Sequence, residues 1–313
     1  IDEIKNFSSE VIHIKKKKTS KYKDSINKLL NPKKKISSGW QFNDVTNAKN
    51  FKYNWFKNKI NLKQNFDFNN KKDFIILPEI FAHLANELLI KKKVNYAIFV
   101  QNGYSINSTN DEQNLFKAYK NARFILTGSK DTYDCVKLKF PKLKTKILKI
   151  SYALDLGEIN FKKKRNIITY TSRKLPQHSN LVTSYLKPYL PKKWILKNLN
   201  NLSYEKYLTI LKKSKIFLSF SSLEGLGLPP VEAALAGNHV IGYTGEGGNE
   251  YWQEPLFTKV GSGEINKFVL KIIDKIEKSN FKKDYSKRKY NMLKKKFSKQ
   301  NEIKDIKKFL KLI

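Results

Sequence analysis

Short apolar runs recur along this chain, separated by longer polar stretches in which apolar residues return every third or fourth position. Runs of that length bounded by turn residues are read as strands, and the longer periodic stretches as helices. In the first half this predicts strands at 10–14, 74–77, 97–100, 124–127 and 146–150, with helical spacing at 80–90 and 112–121. After a polar segment at 152–164 a second series begins, with strands at 166–171, 194–197, 216–221, 239–243 and 258–260. Helices at 179–190, 204–213, 230–236 and 265–277 alternate with them. Strands alternating with helices form βαβ units, so each series predicts a doubly wound parallel sheet in an α/β domain. Residues 284–313 form a lysine-rich amphipathic segment whose apolar side is Tyr290, Leu293, Phe297, Ile303, Ile306, Phe309 and Leu310.

The stretch 15–72 is the least patterned. Its lysine runs at 15–18 and 33–35 read as solvated loop. The aromatic group Phe51, Tyr53, Trp55 and Phe56 reads first as a core helix and second as a partner surface.

Length and composition narrow the class. A chain of 313 residues buries a sizeable core and divides naturally into two domains. An apolar fraction of 40% with 13% aromatics marks a folded globular protein. The formal charge of +36 is nearly all lysine, the arginines being Arg123, Arg165, Arg173 and Arg288. Lysine, asparagine and isoleucine rise together, as AT-rich codons would produce, so compositional bias is the first reading of this charge. Attraction to an anionic membrane surface or an acidic lipid-linked acceptor is the second, and nucleic acid the third. A single cysteine, Cys135, excludes an internal disulfide and a cysteine metal cluster and suits a reducing cytoplasm. No apolar run approaches the ~18 residues that span a bilayer.

Candidate chemistry concentrates at 219–252. The strand at 216–221 leads into Glu224-Gly225-Leu226-Gly227-Leu228-Pro229-Pro230-Val231-Glu232-Ala233-Ala234-Leu235-Ala236-Gly237. Pro229 and Pro230 suit the first turn of a helix, where a missing N–H costs nothing. Gly237 suits the left-handed position just past its end. Strand, glycine loop and helix N-terminus together present backbone N–H groups to an anion. Glu224 is placed on the loop and Glu232 in the first helical turn, so that both carboxylates flank one ligand. A phosphate held by amides with hydroxyl acceptors on either side is what a nucleotide sugar requires.

The spacing Glu224-x7-Glu232 within that filling resembles the signature of the family 4 glycosyltransferases, which are retaining enzymes of the GT-B fold. The resemblance covers 166–252 well and the rest loosely. It implies two Rossmann-like doubly wound parallel-sheet domains facing a cleft. Residues 1–152 would form an acceptor-side domain, 153–283 a nucleotide-sugar-binding domain, and 284–313 a helical segment crossing back to the first. Residues 1–7 then read as the tail of a helix, so the first strand and loop of that domain are expected to be missing. Since the only methionine is Met292, this points to a truncated sequence. By the same resemblance Glu224 lies by the donor sugar, Glu232 binds the ribose, and the amides of Gly225, Leu226, Gly227 and Leu228 meet the diphosphate.

A second constellation, Thr169-Tyr170-Thr171-Ser172-Arg173-Lys174, ends the first strand of the second series, at the edge that faces a cleft. Guanidinium holds phosphate oxygens bidentately, so Arg173 is expected on the donor diphosphate. The family pattern has an arginine there and a lysine several residues later. Here the loop continues Leu175-Pro176-Gln177-His178, so Lys174, Gln177 or His178 would take the second place. The turn 245–250, with Gly247 and Gly248, reads as a flexible loop closing on donor or acceptor, or as a plain turn. Glu79, Gln101, Asn102 and Tyr104 follow strands of the first domain and are acceptor-side candidates.

Several chemistries find no support. There is no Asp-x-Asp pair, and His13, His83, His178 and His239 share no metal spacing. His83 and His239 read as core or surface residues. Neither a Gly-x-Ser-x-Gly elbow nor a P-loop is present. The reading is a retaining, metal-independent glycosyltransferase, cytoplasmic and peripheral at the inner membrane face, acting on a glycan or lipid-linked acceptor in bacterial surface polysaccharide synthesis. Alternatives are a non-catalytic nucleotide-sugar-binding or scaffold protein, a basic nucleic-acid-binding protein, and an epimerase or phosphorylase on the same fold.

Overall fold

The computed structural model describes residues 13–16, 40–43, 73–107, 111–160, 163–278 and 286–313. Strands β1 (His13–Lys16) and β2 (Trp40–Asn43) pair antiparallel in a ribbon of their own. This corrects the expectation that 10–14 joins the parallel sheet. Parallel sheets bury both faces and need nearly continuous apolar strands, which His-Ile-Lys-Lys is not. The helix tail at 1–7, the lysine run at 33–35 and the aromatic group at 51–56 lie outside the described residues.

A first parallel sheet has the order β3 (Phe74–Pro78), β4 (Asn95–Val100), β5 (Phe124–Thr127), β6 (Lys146–Lys149). Its core gathers Tyr96, Ile98, Val100, Leu115, Tyr119 and Ile125 under α1 (Glu112–Asn121) and α2 (Lys130–Lys139). Helix α2 is polar and weakly periodic and was not legible in the apolar pattern, although Ser129 caps it by accepting from the Thr132 N–H. The helical spacing at 80–90 is real but irregular, a 3₁₀ segment Glu79–Leu84 followed by a π segment Asn86–Ile90.

The second parallel sheet contains β7 (Arg165–Tyr170), β8 (Ile195–Asn198), β9 (Ser214–Glu224), β10 (His239–Glu246) and β11 (Phe257–Lys259), in the order β11-β10-β9-β7-β8. Helices α3 (Pro176–Leu186) and α6 (Ile265–Lys278) pack together on one face. On the other lie α4 (Tyr204–Lys213) and α5 (Leu228–Leu235). Helix α5 is apolar almost all round, with Pro230 to Leu235 buried, because α7 (Lys287–Lys296) covers its outer side. There the Tyr290 hydroxyl donates to the Leu235 carbonyl.

The last helix, α8 (Lys299–Leu310), docks on the first sheet. Phe309 meets Phe74 and Phe124 edge-on at 5.7 and 5.9 Å between ring centroids. Arg123 donates to the Leu312 carbonyl, and Asp305 accepts from the Ser151 hydroxyl at 2.6 Å. The C-terminal segment thus touches both sheets.

Candidate functional site

The carboxyl ends of β7 and β9 are neighbours, and the chain leaves them toward opposite faces of the sheet, β7 into α3 and β9 into α5. Strand order reverses here, and in open parallel sheets the crevice outside such a point receives ligands. The loop after β7 carries Arg173 and Lys174, and Glu224 ends β9. Lys174 Nζ lies 3.3 Å from Glu224 Oε1, an ion pair spanning the crevice. Arg173 is exposed and pairs with no described residue. Glu224 was expected on the loop; instead pairing with Glu246 of β10, across a register shift after Thr244, keeps it in the strand.

The glycine loop follows. Gly227 caps α5 at φ 73°, a left-handed conformation costly for residues with a Cβ, and Gly237 ends the segment at φ 81°. Gly225 lies against the first domain so closely that a Cβ would sit 2.0 Å from the Gln101 carbonyl oxygen. Its own carbonyl accepts from the Ser129 and Thr132 hydroxyls, and the Gly227 carbonyl accepts from the Tyr251 hydroxyl at 2.6 Å. Leu226 buries its side chain in the core, leaving only its backbone for a ligand. Pro229 and Pro230 follow Leu228 in α5 and have no N–H. The donors that remain for an anion are therefore those of the loop and Leu228, fewer than a helix N-terminus ordinarily offers.

Glu232 is the fifth residue of α5, one turn deeper than expected, and only 8% exposed. Its two carboxylate oxygens accept from the Tyr204 and Tyr207 hydroxyls of α4, each at 3.1 Å. Burial pushes its pKa up, against the two phenolic hydrogen bonds that hold it down. Lys164 braces the far ends of the same helices. Its Nζ donates to the carbonyls of Leu211, Ser214 and Ala236, and burial lowers its pKa to about 7.

The carboxyl edge of the first sheet faces this crevice. Glu79 is buried and accepts from the N–H groups of Gln101 and Asn102, both at 3.2 Å, so it shapes that loop. Asn102 donates to the Leu223 carbonyl at 2.9 Å across the cleft. The Tyr104 hydroxyl donates to Asp131 at 3.1 Å, and burial raises the Asp131 pKa. The segment Gly247–Glu250 is a 3₁₀ turn, the form that the plain-turn alternative describes. A Cβ at Gly247 would collide with the Gly225 carbonyl and one at Gly248 with the Trp252 ring, and both glycines are buried. Glu250 accepts from the Lys130 N–H at 2.8 Å and pairs with Lys149 at 3.1 Å and Lys296 at 3.0 Å. Burial pushes its pKa up, but these donors outweigh burial and leave it below the usual carboxylate value.

His178 faces Tyr243, its Nδ1 3.2 Å from the phenol oxygen, and so packs inside the second domain. His239 is buried with Nε2 2.9 Å from Thr258 Oγ1. The apolar pattern did not single out Tyr204, Tyr207, Ser129, Thr132, Lys164 or Glu250. For the tyrosines the only available signal was their i, i+3 spacing on the helix before the motif.

This crevice between two Rossmann-like sheets is that of the GT-B glycosyltransferase fold. No protein-family model matches the chain. A solved structure of HepE from Anabaena in complex with UDP superposes with a TM-score of 0.64 at 11% identity, covering 78% of this chain and 80% of that one. A GtfA/B complex gives 0.52 at 17% identity, covering 71% of this chain and 53% of that one. In sequence, an α-1,6-glucosyltransferase of Actinobacillus pleuropneumoniae serotype 7 (strain AP76) is 32% identical over 83 residues. That match spans 26% of this chain and 25% of the relative. No helix among the described residues is long and apolar enough to cross a membrane.

Proposed function

We propose that this chain is a retaining glycosyltransferase of the family 4 kind, moving a sugar from a nucleotide-diphosphate sugar to a glycan or lipid-linked acceptor without a metal. The observation that carries this reading is the Lys174–Glu224 pair at the strand-order reversal, beside the Gly225–Leu228 loop and the buried Glu232. A leaving nucleotide diphosphate gains negative charge as the sugar becomes oxocarbenium-like, and fixed donors aimed at that charge are commonly the largest catalytic contribution. Lys174 and the loop amides supply such donors from the chain itself, with Arg173 free to swing onto the phosphates. Glu224, released from Lys174 by the incoming diphosphate, turns to the sugar hydroxyls, while Glu232 accepts from the ribose. Front-face attack, with the departing phosphate taking the acceptor's proton, accounts for retention.

Acceptor contacts fall to Gln101, Asn102 and Tyr104 on the opposite edge. The setting in this proposal is bacterial surface polysaccharide synthesis, and the lysine-rich composition suits an anionic membrane face in the cytoplasm.

Thermal-shift binding of UDP, GDP, ADP, dTDP and CDP at low and moderate salt tests this. Selective, salt-tolerant stabilisation by one nucleotide, lost in Glu232→Ala, is the expected result. A shift shared by all five and abolished by salt would mean that lysines simply collect phosphate. Analysis of the product's anomeric configuration separates retention from inversion.

A further inference from the structure

On the nucleotide-sugar reading, Tyr204, which donates to Glu232, is the exposed member of the group around that carboxylate. Glu232 and Tyr207 are 8% and 9% exposed, whereas Tyr204 is 56% exposed. Tyr204 is the first residue of α4, fixed by the Ser203 cap that accepts from the Lys206 N–H. Its ring lies along that of Tyr207, with centroids 6.1 Å and planes 18° apart, so Tyr207 backs one side of it. The loop leading into α4 is also fixed. Asn198 and Asn200 both donate to the Ser172 hydroxyl, at 3.0 and 2.7 Å, immediately before Arg173 and Lys174. One rim of the crevice therefore holds a cationic loop, a buried carboxylate and an oriented, solvent-facing aromatic ring.

We propose that Tyr204 is a nucleoside-recognition residue, its exposed ring the platform for the base while Glu232 takes the ribose hydroxyls. Each Glu232 oxygen accepts one phenolic hydrogen, and a carboxylate oxygen has room for a second. Two ribose hydroxyls then find acceptors without displacing either phenol. A preoriented ring also loses little freedom when a base settles on it.

Calorimetric titration of UDP, GDP, ADP and inorganic pyrophosphate into wild type, Tyr204→Ala, Tyr204→Phe and Glu232→Ala tests the assignment. Losing a stacking aromatic is expected to weaken the preferred nucleoside diphosphate about tenfold, with pyrophosphate unchanged. Tyr204→Phe keeps the ring and is expected to recover most of that loss. A merely structural role would lower both ligands together. If wild type and Tyr204→Ala bind the nucleotide alike while Glu232→Ala does not bind, the site reading stands and the Tyr204 assignment is overturned. Failure of Phe to rescue also overturns the platform. If wild type prefers no nucleotide over pyrophosphate, the proposed function itself falls.

Discussion

Lys174 and Glu224 neutralise one another at the strand-order reversal, and a ligand binding there would compete for both. Lys174→Met should free Glu224 and leave its charge uncompensated opposite the phosphates. Nucleoside diphosphate affinity is expected to fall about tenfold, the scale of one charge-assisted contact, with Tm nearly unchanged because the pair is partly exposed. Titration calorimetry and a melting curve on the same variant separate these effects. Glu232 adds a pH signature. Its folded pKa is raised by burial, so the folded state holds its proton at pH values where the unfolded chain has lost it, and ionisation weakens folding as pH rises through the raised value. On the proposed function, ribose recognition needs the ionised form. Nucleotide affinity should therefore drop on acidification at a pH above the ordinary carboxylate value of about 4.5, and Glu232→Gln should flatten that limb. An identical acid limb in the variant would assign it to the phosphates instead. At this scale the sequence spacing exposed Glu224, Lys174 and the glycines, because backbone conformation and charge are written in residue type. It could not expose Tyr204 and Tyr207, whose phenols acquire a role only when α4 is laid beside α5.

Helices α4 and α5 build the side of the crevice that carries Glu232 and Tyr204, and the amine of Lys164 ties their carboxyl ends to β9. Replacing it by methionine keeps the aliphatic stem and leaves the carbonyls of Leu211, Ser214 and Ala236 without this donor. A loss of about 1–3 kcal/mol is expected, read as a fall in urea midpoint at constant slope. Burial lowers the Lys164 pKa to about 7, against 10.5 for the free side chain, so the unfolded chain binds the extra proton between those values. Stability gained from this group therefore rises with pH across that window, and the gap between wild type and Lys164→Met should widen from pH 7 to 10. A gap independent of pH would mean that the ammonium is as well solvated there as in water. The elements themselves were legible wherever a strand is buried on both faces, as in β5 and β9, since burial forces continuous apolar runs. The reading failed where another device replaces burial. Helix α2 rests on its Ser129 cap, and β9 runs past its apolar stretch because β10 continues to pair with it to Glu224.

Two sheets facing each other across a crevice work only if something sets their separation, and side-chain burial within either sheet cannot do so. The described hydrogen bonds and ion pairs across the cleft are few in kind. Asn102 holds the Leu223 carbonyl, Ser129 and Thr132 hold that of Gly225, and Glu250 gathers Lys130, Lys149 and Lys296. Glu250 is the one that joins three parts of the chain, since Lys130 and Lys149 belong to the first domain and Lys296 to α7. Its side chain is only 14% exposed, so salt screens the cluster less than it would a surface pair. Removing the carboxylate leaves the Lys149 and Lys296 ammonium groups facing one another, and the Lys130 N–H without its acceptor, in a chain already carrying +36, which favours opening. Glu250→Ala should therefore enlarge the radius of gyration measured by small-angle scattering at neutral pH, while each sheet keeps its own amide-exchange protection. Because the folded pKa of Glu250 is depressed, its contribution is complete above the ordinary value and disappears only as pH falls through the lower, folded one. Wild type should hold its radius as pH falls to the ordinary carboxylate pKa and expand only below it, whereas the variant should already be expanded and change little. Equal radii for the two proteins at pH 7 would show that the hydroxyl contacts at Gly225 suffice, and that Glu250 follows closure without holding it.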